Sequence, residues 1–393
     1  MLIIDGIPVF GAPDEGALKQ IKLAKEKAQG AALMADHHLG YAVPIGGVVA
    51  YKNRVSPSGV GFDIACGNKA VRLDTPASEI KAKMSTIMDE VVKRVSFGVG
   101  QKNNVRVPHA LFDDDPAWAI PEIGKLKSLA KDQLGTVGSG NHYVDIFEDE
   151  NGATWVGVHF GSRGLGHKTA THFLAASGGK DGMHVEPAVI DADSDLGEQY
   201  LLAMHLCGRY AYAGRDWVCA TVADIIGGKI EEEIHNHHNF AWHESHGGED
   251  YWIVRKGATP AFPNQKGFVG GTMGENSVIL EGKESSEGAL TYYSTVHGAG
   301  RVLGRREAIG RFIKDENGKK QRQAGKVRHE DWVAWMKKSG VTLRGAGLDE
   351  APQCYKRLPE VLAEHSASIN ILHTLKPLGV AMAGANEIDP YKD

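Results

Sequence analysis

Glycine in this chain is gathered rather than spread. Many of its 49 glycines fall into five short runs: SPSGVGFDIACG, LGTVGSGNH, VHFGSRGLGHK, GFVGGTMGENS and HGAGRVLG. Glycine weakens regular structure and suits turns and close backbone approach, so the runs divide the chain into short elements. Each run also contains, or closely flanks, a candidate metal ligand, anion binder or nucleophile. The turns of the fold and its chemistry therefore coincide in sequence.

Between the runs lie short apolar strands, IGGVVAY, KAVRL, HYVDIF, TWVGVHF, DYWIVRKG and NSVIL. They alternate with segments of helical pattern around 15–29, 76–95, 120–132, 194–241 and 356–374, the fourth broken or bent at Gly227-Gly228. This predicts an α+β fold. No repeat and no Pro/Ser-rich linker divides residues 1–393, so a single catalytic domain is expected. With 42% apolar residues the chain can bury a large core. It has no apolar run of membrane-spanning length, and Met1–Phe10 lacks the pattern of a secretory signal. Four scattered cysteines make no disulfide framework. A cytoplasmic protein with reduced thiols and no membrane association is expected.

A formal charge of −5 excludes a histone-like polyanion binder and confines any nucleic-acid contact to a local patch. Arg301–Arg328 is the candidate patch, with ten Lys or Arg against Glu307, Asp315 and Glu316.

Asp63 and Cys66 sit three apart in GFDIACG, where one turn can aim a carboxylate and a thiolate at one point. His142 and His159 are read as strand residues beside glycine turns. In EIHNHHNF, His235 and His238 are expected on one helix face, at i and i+3, with His237 pointing elsewhere. Thiolate with imidazole suits transition metals such as zinc, cobalt or manganese, and not magnesium. Five ligands exceed one tetrahedral site, so a bridging thiolate could hold two ions. A structural zinc site is the alternative, although no CxxC is present.

FGSRGLGHK and GGTMGENS are candidate anion nests, with Arg163 as a bidentate phosphate fork. Neither matches a P-loop or a Rossmann fingerprint. In STVHGAGRVLGRRE, His297 precedes a glycine turn and Arg301, Arg305 and Arg306, the last two expected on a helix. An imidazole can attack phosphorus while guanidinium groups stabilise the phosphoryl oxygens. His297 is the candidate covalent nucleophile.

The ordered motifs DHHLGYAVPIGGVVAY, SPSGVGFDIACG, GSGNH, HFGSRGLGH, HHNF, GGTMG, HGAGR and LDEAPQCYK resemble the RtcB RNA ligase family from about Asp36 to Tyr355. The resemblance implies one α+β catalytic domain with mixed and antiparallel sheets around a di-metal cleft, two Mn²⁺ ions, and GTP as co-substrate. It implies Asp63, Cys66 and His142 on one ion and Cys66, His159 and His238 on the other, choosing His238 over His235. His297 would be guanylylated. Asn141, Asp145, Asn239, Gly271, Thr272, Met273, Gly274, Gly298, Ala299, Gly300 and Tyr355 would contact the nucleotide, and Arg163 and Arg301 the nucleic-acid phosphates. The implied reaction joins RNA 3′-phosphate or 2′,3′-cyclic phosphate ends to 5′-hydroxyl ends, in RNA repair or tRNA splicing, with an archease-type activator as a possible partner. Two positions depart from the family pattern: Asp145 replaces a Glu, and Met382 stands where a C-terminal lysine is expected, leaving Lys376 or Lys392 as substitutes. The alternatives are a 3′-phosphate GMP-capping enzyme on RNA or DNA, a metal-dependent cyclic phosphodiesterase, and a nucleic-acid-binding module with structural metal.

Overall fold

A computed structural model describes residues 1–314 and 320–385. Two large sheets organise it. The first contains β1 (Leu2–Ile4), β2 (Ile7–Val9), β3 (Gly30–His38) and β4 (Ile45–Tyr51). The second draws β5 (Gly67–Pro76), β6 (Tyr143–Glu148), β7 (Ala153–Phe160) and β8 (Ile230–His237) from the middle of the chain. The chain then returns to the first sheet with β9 (Asn239–His246) and β10 (Glu249–Lys256). It completes the second with β11 (Lys266–Val269), β12 (Ser277–Gly282), β13 (Thr342–Ala346) and β14 (Ile369–Gly384). The strand orders are β1-β2-β3-β4-β10-β9 and β8-β5-β7-β6-β14-β12-β11, with β13 paired on β14. Pairing is antiparallel except for β2 with β3 and β13 with β14. The mixed α/β architecture thus agrees with the expected fold class.

One long helix packs on the second sheet and a shorter one packs on that helix. α1 (Arg163–Ala176) follows β7 directly, and α2 (Asp195–Ile226) is an element of 32 residues. α2 begins where Ser194 accepts a hydrogen bond from the Gly197 amide and ends where Gly227 takes φ 83°, a C-terminal cap that suits glycine. Its buried face, including Val218 and Val222, joins Val71 and Val156 of the sheet in one core.

Two sequence expectations are overturned here. The helix expected over 194–241 stops at Ile226, and IEEEIHNH is strand β8. Its i, i+3 histidine face therefore does not exist. In a strand alternate residues share a face, and His235 and His237 both lie against the Tyr212 ring, at 4.0 and 4.1 Å between centroids. The helix expected over 356–374 is confined to Leu358–Ala363; a turn follows, and 369–374 begin β14. A register shift that leaves Leu372 out of the pairing with β12 interrupts the alternation that would have marked that strand.

Candidate active site

Sheet register explains why ligands distant in sequence meet. Gly67 pairs with Phe160 on one side and His237 on the other, and Tyr143 pairs with His159. Cys66 immediately precedes Gly67, His142 precedes Tyr143, and His238 follows His237. All therefore emerge at one end of the sheet. His238 is the single residue between β8 and β9, the edge strands of the two sheets. Its amide donates to the Cys66 carbonyl at 2.8 Å.

Two groups of ligand atoms result, Cys66 with His159 and His238, and Asp63 with Cys66 and His142. Within each, the ligand atoms lie within 4.8 Å of one another. Cys66 Sγ is 3.6 Å from Nε2 of both His142 and His159, and His142 Nε2 is 3.1 Å from Asp63 Oδ2. His159 Nδ1 donates to Asn68 Oδ1 at 2.6 Å, which fixes the tautomer and turns the Nε2 lone pair toward the thiol. Buried His238 Nδ1 has no hydrogen-bond partner. Burial opposes charge on Asp63, but His142 and Arg163 outweigh it and lower its carboxyl to about 2. Burial drives His159 and His238 well below the usual imidazole range, leaving neutral rings. Burial and Asp63 push the Cys66 thiol well up, so a thiolate there needs a nearby cation. A carboxylate, neutral imidazoles and a thiol that ionises only beside a cation fit a transition-metal centre.

His297 follows the short strand Ser294–Val296, whose Val296 pairs with Ala258, while the Ala258 amide donates to the His238 carbonyl at 3.3 Å. This places the His297 ring 4.7 Å from that of His238, centroid to centroid. Fully buried Asp36 holds it: Oδ2 accepts from His297 Nδ1 at 2.6 Å and from the His297 amide at 3.0 Å. Burial raises the Asp36 carboxyl, but the His297 interactions outweigh it and leave it low, hence ionised. An Nδ1–H bound to a carboxylate leaves the lone pair on Nε2, as a nucleophile requires. At Gly300 (φ 79°) a Cβ would lie 2.2 Å from the Asp36 carbonyl, so only glycine brings the turn this close.

A cavity of about 830 Å³ joins these parts. Its walls include all five metal-ligand candidates, His297, Asn141, Asp145, Asn239, Gly271, Thr272, Met273, Gly298, Ala299, Gly300, Arg301 and Tyr355. Gly274 and Arg163 are not among its lining residues. Arg163 opens α1 at φ 55° and donates to Thr136 Oγ1 and the Gly98 carbonyl, so its run enters a helix rather than an open nest. Arg301 donates to Glu350 and Tyr355, each at 2.9 Å, and to the Leu303 and Asp349 carbonyls. The Asn239 amide group spans the Asp63 carbonyl and the Gly257 N–H. Burial holds the Asp145 carboxyl well above the usual carboxylate range.

Of the basic segment, Arg305 bonds Glu350, while Lys326 and Arg328 pair with Glu307 and Asp331. Lys319, Asp315 and Glu316 lie outside the described residues, as does Lys392. Met382 lines the cavity, and Lys376 does not: it pairs with Glu148 at the far end of β6.

The lysines that do line the cavity are Lys256 and Lys356, neither singled out from sequence. Lys356 Nζ donates to the Ala35 and His37 carbonyls, on either side of Asp36. Lys256 Nζ bonds the Tyr41 carbonyl, and burial lowers its ammonium from 10.5 to about 7. A lysine depressed by burial penalises the folded state fully below the folded value, and the penalty fades as pH rises toward the unfolded one. Lys256→Met is therefore expected to raise the melting temperature by a few degrees at pH 6, with the gain shrinking between about pH 7 and 10.5. Thermal melts across that range check it. A lower melting temperature at pH 6 would mean that the carbonyl contacts outweigh desolvation.

The chain matches the family model described as tRNA-splicing ligase RtcB over residues 18–131 and 122–383, and it belongs to that family. It is 30% identical to the tRNA-splicing ligase RtcB of Thermococcus kodakarensis, over 89% of this chain and 86% of the relative. The RNA-splicing ligase RtcB of Escherichia coli K12 is 29% identical, with 88% of each chain covered. The tRNA-splicing ligase RtcB of Archaeoglobus fulgidus is 30% identical over 89% of this chain and 86% of its own. Among the described residues, no helix is long and apolar enough to cross a membrane.

Proposed function

We propose that this chain is a cytoplasmic, GTP- and manganese-dependent RNA ligase, acting as one catalytic domain, that joins 3′-phosphate ends to 5′-hydroxyl ends. The observation that carries this reading is the His297 imidazole, bound at Nδ1 by buried Asp36 and set 4.7 Å from the His238 ring on a shared cavity wall. Membership of a family described as tRNA-splicing ligases supports the substrate class. His238, which joins the edge strands of the two sheets, shares a ligand group with Cys66 and His159 of the second sheet, which supports one functional unit.

Asp63, Cys66 and His142 would hold one ion, and Cys66, His159 and His238 the other. When bound, the ions neutralise phosphate charge during in-line displacement. His297 Nε2 attacks the α-phosphorus of GTP, forming an N–P bond as pyrophosphate leaves. A 3′-phosphate oxygen then takes the GMP, breaking that bond and leaving a phosphoanhydride at the RNA end. Finally the 5′-hydroxyl attacks the 3′-phosphorus, the phosphodiester forms and GMP leaves. A 2′,3′-cyclic phosphate is first opened by water. Asp36 holds the Nδ1 proton throughout and stabilises positive charge on the ring when Nε2 is bonded to phosphorus. Asp145, whose carboxyl burial holds well above the usual carboxylate range, would face the base, and Lys256 and Lys356 line the cavity that would receive the phosphates.

The test supplies RNA bearing a 3′-phosphate and RNA bearing a 5′-hydroxyl, with Mn²⁺ and GTP, with and without an archease-type activator. Joined product dependent on GTP is expected. Accumulation of GMP-capped 3′ ends without joining would instead make the protein a capping enzyme, and conversion of cyclic ends without GTP a phosphodiesterase.

A further inference from the structure

One fully buried cation stands behind the ligand cluster without contributing a ligand. Arg215 projects from α2 and is 0% exposed. Its Nη1 donates to the Ala65 carbonyl at 3.0 Å and the Phe160 carbonyl at 2.5 Å, and its Nη2 contacts His237 Nδ1 at 2.9 Å. Its Nε donates to His235 Nε2 at 2.7 Å. Ala65 precedes Cys66, Phe160 follows His159, and His237 precedes His238. One guanidinium thus grips the chain neighbour of every member of the Cys66, His159 and His238 group, on three separate strands or strand ends.

We propose that Arg215 is a positioning residue that fixes the spacing of the Cys66, His159 and His238 ligand atoms by tying to α2 the backbone carbonyls beside Cys66 and His159 and the imidazole beside His238. A buried arginine is costly unless its donors are satisfied, and here they are satisfied by two carbonyls and two imidazoles rather than by a carboxylate. The planar fork suits this geometry because its directions are rigid, whereas a lysine ammonium reaches fewer acceptors at fixed angles. Both histidines accept from the guanidinium, and burial with the Arg215 charge drives each well below the usual imidazole range. This also gives His235 and His237 a role distinct from that of His238: they receive the arginine, and His238 faces the cavity.

The inference rests on the metal reading proposed above, and the experiment separates the two. Apoprotein is titrated with Co²⁺, whose thiolate charge-transfer and ligand-field bands report affinity and geometry directly. Wild type, Arg215→Lys, Arg215→Ala and Val218→Ala are compared, the last as a destabilised control on the same helix. Both Arg215 variants are expected to bind about 10–100-fold more weakly with altered bands, Val218→Ala as wild type, and millimolar guanidinium is expected to restore part of the affinity of Arg215→Ala. If Arg215→Ala does not fold, Arg215→Lys decides alone. A folded Arg215→Lys with wild-type affinity and bands overturns the proposal while leaving the metal reading intact. Wild type that binds no Co²⁺ through a thiolate overturns the metal reading itself, and this inference with it.

Discussion

Cys66→Ala is expected to lose both metal ions and to lower ligation by roughly a thousandfold or more, while the protein remains folded. The thiol is the one donor shared by the two ligand groups, Asp63 with His142 and His159 with His238. Its removal leaves each group with two donors, too few for a closed divalent site. The structural cost is small by comparison, since trimming one sulfur from a buried position costs about 1–2 kcal/mol. Metal content after gel filtration and a thermal melt read the two effects separately. Full metal content in Cys66→Ala would contradict the bridging role.

The second large effect concerns His297 and the aspartate behind it. His297→Ala is expected to retain wild-type metal content and to lose nucleotide transfer completely, because among the described residues no other imidazole lining the cavity combines a carboxylate at Nδ1 with a place outside both ligand groups. Asp36→Asn is the more informative substitution. The amide can present its N–H to Nδ1 and move the ring proton to Nε2, which removes the lone pair that attacks phosphorus. A decrease of about 10²–10⁴-fold in the nucleotide-transfer rate is expected, with little change in apparent GTP affinity. Single-turnover kinetics at varied GTP distinguish these. An Asp36→Asn enzyme impaired only in GTP affinity would make Asp36 a scaffold for the glycine turn rather than the keeper of the tautomer.

Much of this site is legible in the sequence because its donors are chemically unusual and sit beside glycine turns. Cys66 and His142 immediately precede strands, at the chain reversals glycine permits, and their residue types alone suggest a soft metal. The EIHNHHNF segment shows the limit of such reading. Its glutamates and its continuity with a 32-residue helix imitate helical sequence, and Gly227-Gly228 reads as a break or bend within a helix where the structure has a left-handed cap followed by a strand. Strand pairing to β5, a long-range property, decides the matter and turns His235 and His237 toward Arg215 instead of toward the metal group.

Asp36 was missed for a related reason. It lies in GAALMADHHLG, where a carboxylate amid apolar residues signals a buried partner but not which one; the partner is 261 positions away. Asn68 is concealed in the same way, since its contacts to His159 and to the Phe268 and His297 carbonyls exist only once three distant segments meet. Lys256 and Lys356 likewise become cavity residues only when β10 and the segment after Tyr355 close on β3 and the 39–45 turn.

The most direct measurement is incubation of the pure protein with Mn²⁺ and α-labelled GTP, followed by acid and alkali treatment and peptide mapping of the labelled chain. One GMP per chain is expected, labile in acid and stable in alkali as a phosphoramidate is, on the peptide containing His297 and absent from His297→Ala. Label on a lysine peptide, or undiminished label in His297→Ala, would contradict the assignment of His297 as nucleophile.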